Sequence, residues 1–173
     1  MASLYKIGAF RSNSGDFTEI RRKKTIPMIE SAYNIKIFGG DILLFHIFFS
    51  QKERKEFGGS CFLEMQYCRL AQDDKIEKIV SVESIVFWKD DSLYIYGDDI
   101  DTFLSYYKNI FTGGIYNNKN SGVVDIYGIN YYDQTHTHLI IESMKKMQPL
   151  EYQVVLHWLE KAKAYNGFYI LGI

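Results

Sequence analysis

His136-Thr137-His138 is the group in this chain best spaced to hold a metal. Two histidines at i and i+2 on a strand point to one face and could share a zinc, with Asp133, His46 or His157 supplying the further ligand. The plainer reading is two solvent-side histidines on an edge strand. His157, between Leu156 and Trp158, reads as a half-buried structural histidine rather than a general base, because no nucleophile is linked to it in sequence. His46 sits inside an apolar run and reads as a core histidine. Cys61 and Cys68 lack the spacing of a redox pair or a metal knuckle, and on one straight strand they face opposite ways; they read as reduced thiols. Asp98, Asp99 and Asp101 lack the alternating acids and sharp glycine turn of a calcium loop. Gly58-Gly59 and Gly113-Gly114 match no phosphate-cradling loop, and there is no G-x-S-x-G. The expectation is a chain without a catalytic set, a metal or a cofactor.

The elements that must position these residues centre on 92–132. Leu93, Ile95 and Gly97 alternate with Tyr94 and Tyr96, the period of a two-faced strand. Asp98 and Asp99 are placed to cap a helix whose stripe is Ile100, Phe103, Leu104, Tyr107 and Ile110 or Phe111, and Gly113-Gly114 would end it. Upstream, the pattern predicts a strand over 4–10, a short helix over 25–32, and a hairpin of 33–38 with 42–50 about Gly39-Gly40-Asp41. Strands are expected over 60–70 and over the β-branched run 76–88, the latter in a hairpin with 92 onward. Further strands are expected over 123–132, 136–144 and 168–173. Pro149 would open a second helix, with Tyr152, Val155, Leu156, Leu159 and Ala162 inward. Together these predict one α+β domain over 1–173, with a mostly antiparallel or mixed sheet and two main helices packed on it. The last strand, if exposed at an edge, offers a route to a homodimer.

Composition narrows the function. The chain has 173 residues and a net charge of −1, which makes no overall case for nucleic acid. Charge is nevertheless uneven: Arg21-Arg22-Lys23-Lys24 forms a basic run, while Glu83, Asp90, Asp91, Asp98, Asp99 and Asp101 face only Lys89 over 83–101. The 14 Tyr, 12 Phe and 2 Trp favour β-structure and also suit binding surfaces. No signal peptide is visible, and the most apolar window, 42–49, is too short to span a bilayer, so a cytoplasmic address and no membrane are expected.

The cadence Y-G-D-D-I-D-T-F-L-x-x-Y-x-x-I-F-x-x-G followed by V-V-D-I-Y-G-I-N-Y-Y, within residues 80–173, resembles bacterial immunity proteins, the partners of polymorphic and contact-dependent growth inhibition toxins. The resemblance implies a cytoplasmic inhibitor, not an enzyme, that neutralises a cognate toxin C-terminal domain, such as a nuclease, by covering its active site or an essential surface. Asp90, Asp91 and Asp101 are then the expected contacts for a basic partner, with Tyr94, Tyr96, Tyr106 and Tyr116 among the anchoring tyrosines. Two alternatives remain open: a nucleic-acid-binding module using 21–24, and a metal-dependent enzyme using His136 and His138.

Overall fold

A computed structural model of the chain describes residues 44–58 and 61–172. The strand expected over 4–10, the helix over 25–32, the first arm (33–38) and turn of the hairpin, and the basic run 21–24 lie outside the described residues. Six strands form one antiparallel sheet: β1 (Phe62–Tyr67), β2 (Leu93–Tyr96), β3 (Thr112–Tyr116), β4 (Ser121–Val123), β5 (Ile129–Tyr132) and β6 (Phe168–Leu171), in the spatial order β2-β1-β6-β5-β3-β4. The helices are α1 (Gln51–Gly58), α2 (Ile76–Ile79), α3 (Ile100–Tyr107), α4 (Gln134–Met147) and α5 (Tyr152–Ala162). The α+β expectation holds, with the sheet antiparallel throughout.

Side chains alternate across a strand, so each sheet face has its own set. Leu63, Met65 and Tyr67 join Leu93, Ile95, Tyr132, Phe168 and Ile170 on one face, covered by Phe103 and Tyr107 of α3, Ile140 and Met144 of α4, and Val155, Trp158 and Leu159 of α5. Trp158 stacks on Tyr67 at 4.3 Å, and its indole N–H donates to the Asp91 carbonyl. The opposite face is covered too. Ile79, Val80 and Ile85 from the β1–β2 connection pack on Tyr169 and Leu171, while Phe48 and Phe57 pack on Phe62 and Tyr94. Both faces of β1 are therefore buried along its whole length.

Several expectations change. Residues 136–144 belong to helix α4, not a strand: Asp133 caps it by accepting from the His136 N–H at 2.8 Å, and Thr137, Ile140, Ile141 and Met144 follow at helical spacing. The run 76–88 forms α2, a short 3₁₀ turn at Val82–Ser84 and an irregular loop, with no strand. Residues 44–48 touch the sheet by one bridge, His46 to Tyr94, and then enter α1. The span 123–132 is divided between β4 and β5 by a turn, where buried Asn130 accepts from the Asp125 N–H and donates to its carbonyl. Asp98 and Asp99 make no side-chain cap; a 3₁₀ turn, Gly97–Asp99, leads into α3 instead. Gly113, at φ +77, serves a β-bulge in β3 rather than the helix end. α5 starts at Tyr152, beyond Pro149, after Glu151 at φ 56. The final strand lies in the middle of the sheet with β1 and β5 on its two sides, so it is no exposed edge and offers no route to a dimer.

Candidate functional site

A closely held surface of the described chain lies where the loop entering β2 meets the start of α1. It is built outward from Glu64, on the β1 face away from the long helices and 1% exposed. Its carboxylate accepts from the Trp88 N–H at 2.8 Å, the Lys89 N–H at 2.9 Å, the Ser92 hydroxyl at 2.8 Å and the Gln66 amide at 3.1 Å. Gln66 also donates to the Val86 carbonyl at 2.9 Å. Two successive N–H groups converging on one carboxylate form an anion nest, and this one needs Trp88 in the left-handed region at φ 69. A bulky residue there costs on the order of 1–3 kcal/mol. The surrounding contacts offset it: the Arg54 guanidinium lies 3.4 Å from the Trp88 ring centroid, and Trp88 stacks on Tyr94. The Tyr94 hydroxyl donates to the Lys89 carbonyl.

Ser50 and Gln51 at the head of α1, Arg54, and Trp88 to Asp90 enclose a shallow recess floored by Phe48 and Tyr94. It has room for about 30 Å³, enough for little more than a water molecule or two. The carboxylate beneath it is committed to four donors. Burial, and secondarily Glu64, push the Tyr94 hydroxyl pKa well up, so it stays a neutral donor.

The residues expected to bind a partner are not brought together. Asp90 is exposed at the recess. Asp91 is ion-paired with Arg69. Tyr94 is 2% exposed and belongs to the core, so it has no surface to offer a partner in this conformation. Tyr96 is half-buried against Phe57. Asp98, Asp101 and Tyr106 lie past the far end of β2, roughly 15 Å of strand from Asp90; Asp101 and the 47%-exposed Tyr106 face solvent there. Tyr116 is half-buried on β3, four strand positions from β2 and so roughly 19 Å across the sheet. Its hydroxyl donates to the Val123 carbonyl.

The helical setting of His136 and His138 undoes the shared-face argument, because a step of two positions turns them about 200° apart around a helix. His136 Nδ1 lies 2.9 Å from Asp133 Oδ1. Among the described residues no group of three His, Cys, Asp or Glu could hold a metal ion. Burial, then Lys161, lower the His157 pKa, and burial pushes the Cys68 thiol up while it donates to Tyr169 at 3.1 Å. Cys61 is exposed and neither cysteine is in a disulfide.

Glu64, Gln66, Arg54 and Trp88 were not foreseen as a group. One signal was available: Ser50-Gln51-Lys52-Glu53 is a capping box, and Ser50 Oγ indeed accepts from the Glu53 N–H at 3.1 Å. Glu64 and Gln66 alternate with Leu63, Met65 and Tyr67, and nothing local says that their side of the strand is covered.

The described residues thus form an α+β fold whose six-stranded antiparallel sheet carries α3, α4 and α5 on one face and a tethered loop on the other. Among the described residues no helix is long and apolar enough to cross a membrane. No family model, curated protein or solved structure matches the chain.

Proposed function

We propose that this protein acts by binding another protein, a cognate toxin domain that it neutralises by covering the active site or an essential surface. The tethered loop between α2 and β2 supports the reading most. Glu64 and Gln66 hold its backbone from beneath, and the apolar side chains of Val86 and Phe87 stand exposed on it beside Asp90. A surface ordered in advance binds without paying much further entropy, which suits an inhibitor. The immunity-type cadence of the second half of the chain points the same way. The gene immediately upstream should encode a toxin-like C-terminal domain, and co-expression with that domain tests the reading. Growth should be restored, and the two chains should purify as one complex. Unrelieved toxicity, or no complex when purified chains are mixed, refutes it.

A further inference from the structure

We infer that Asn166-Gly167 is a spontaneous deamidation site that folding silences, and that the modified chain cannot regain this fold. The inference concerns the chain itself and stands whatever the protein binds.

The chemistry lies in the pair, the single Asn-Gly step of the sequence. Gly167 has no Cβ to shield its backbone nitrogen, and in the unfolded chain it turns freely enough to bring that nitrogen onto Asn166 Cγ. The new N–C bond closes a cyclic succinimide, and the side-chain nitrogen leaves as ammonia with the proton that the Gly167 nitrogen gives up. Water then opens the ring at either carbonyl, leaving aspartate or isoaspartate. One amide and one water become one acid and one ammonia.

The fold obstructs the first step. Asn166 is buried at 9% exposure in the turn from α5 to β6. Its amide donates to the Ala71 carbonyl at 3.1 Å, and its Oδ1 accepts from the Tyr131 hydroxyl at 3.1 Å. The main chain is fastened at both residues: the Asn166 N–H donates to the Cys68 carbonyl at 3.1 Å, and the Gly167 carbonyl accepts from the Cys68 N–H at 3.0 Å. There is no slack between these ties, because Gly167 stands at φ +74 with the Tyr132 carbonyl oxygen 1.9 Å from where a Cβ would lie. Ring closure must therefore wait for this corner to open.

The same contacts reject the product. Isoaspartate carries the main chain through its Cβ, which adds a carbon between the two groups that pair with Cys68. Aspartate keeps the chain length but sets a carboxylate oxygen against the Ala71 carbonyl, a buried charge facing an acceptor where a donor stood.

Asn120-Ser121, near the tip of the β3–β4 hairpin, is the internal reference: its serine has a Cβ, so the step is intrinsically slower, but Asn120 is exposed. The full chain is held at pH 8 and 37 °C with a thiol reductant, either folded or in guanidinium chloride, and both sites are followed by peptide mass mapping. In denaturant Asn166 should convert before Asn120. In the folded protein the order should reverse, with Asn166 slowed at least about 30-fold relative to denaturant. On dilution of the aged, denatured sample, the soluble folded fraction should carry at least about 10-fold less modified Asn166 than the precipitate. Asn166→Asp should likewise fail to fold or melt at a lower temperature. A smaller slowing, Asn166 ahead of Asn120 in the folded protein, or equal shares of modified Asn166 in the two fractions would overturn the inference.

Discussion

Replacing Glu151 by Gln should remove most of a stability loss that the fold suffers between pH 5 and pH 8. Glu151 occupies the corner between α4 and α5 in a left-handed conformation, φ 56. One carboxylate oxygen accepts from the Leu44 N–H at 3.0 Å and the Phe45 N–H at 3.2 Å, tying down the segment that bridges to β2. The other oxygen is buried and has no hydrogen-bond partner among the described residues. Burial outweighs the two N–H bonds, and the negative charge of Asp99 adds to it, so the carboxyl is pushed up from 4.5 to about 7. Tyr107 faces the same corner, but burial and the Glu151 charge hold its hydroxyl neutral, donating to the Leu150 carbonyl.

The sign follows from proton counting. Between 4.5 and about 7 the folded chain keeps a proton that the unfolded chain has released. This contribution is therefore fully present below about pH 4.5 and is lost as pH rises through about 7. At 1.36 kcal/mol per pH unit the loss is about 3 kcal/mol in all, of which about 2.5 kcal/mol falls between pH 5 and pH 8. Urea unfolding of wild type and Glu151→Gln at several pH values measures it. With a slope near 2 kcal/mol per molar urea, the wild-type midpoint should fall about 1 M further than that of the variant over this range. Glutamine keeps an oxygen for the two N–H groups but sets an unpartnered amide in the sealed position, a cost of about 1–3 kcal/mol at every pH. The change in the difference between the two proteins is therefore the diagnostic quantity, not its size at one pH. Parallel pH profiles would refute the reasoning.

Asp99→Asn should lower the Glu151 pKa and shrink this pH dependence, measured by the same titration, because it removes the negative charge that adds to the effect of burial. Glu64→Gln should cost about 3 kcal/mol or more in urea unfolding, since one amide oxygen cannot serve four donors and its NH₂ faces backbone N–H groups. Gly167→Ala should abolish soluble expression or lower the thermal midpoint by well over 5 °C: at φ +74 a Cβ would sit 1.9 Å from the Tyr132 carbonyl oxygen, where only backbone movement could relieve it. Asp133→Ala should cost about 0.5–2 kcal/mol through loss of the α4 cap, read by thermal melting.

Sequence patterns located the elements whose local and tertiary preferences agree. β1, β2, β6, α3 and α5 all lie within stretches whose period announced them, because each buries the stripe that its spacing defines. α4 shows the opposite case. Its Thr and Ile residues favour extended chain locally, yet Asp133 three residues before His136, and Thr137, Ile140, Ile141 and Met144 at helical spacing, settled it as a helix. The β-branched run 76–88 is rich in strand formers but pairs with no strand; Ile79, Val80 and Ile85 are used to cover the second sheet face. Alternation in β1 announced two faces without saying that both are buried, so the Glu64 cluster was hidden in plain view.

The two carboxylates that this sheet conceals answer one structural problem in different ways. Residues 44–48 and the loop 86–92 lie against the sheet with almost no ladder pairing, so their backbone N–H groups need acceptors from elsewhere. Glu64 and Glu151 supply them by accepting from pairs of consecutive N–H groups, Trp88–Lys89 and Leu44–Phe45. Glu64 has donors on both oxygens, among them the side chains of Ser92 and Gln66, whereas Glu151 has donors on one oxygen and a sealed second. The first arrangement suits a loop held in one shape to present Val86 and Phe87; the second ties the bridging segment to a carboxyl whose pKa is pushed up to about 7. Phe48 joins them, since it follows directly from that segment and packs on Tyr94, the ring on which Trp88 stacks. Raising the pH should therefore loosen Leu44 and Phe45 first and reach the recess through Phe48, an order that amide exchange at these positions can follow.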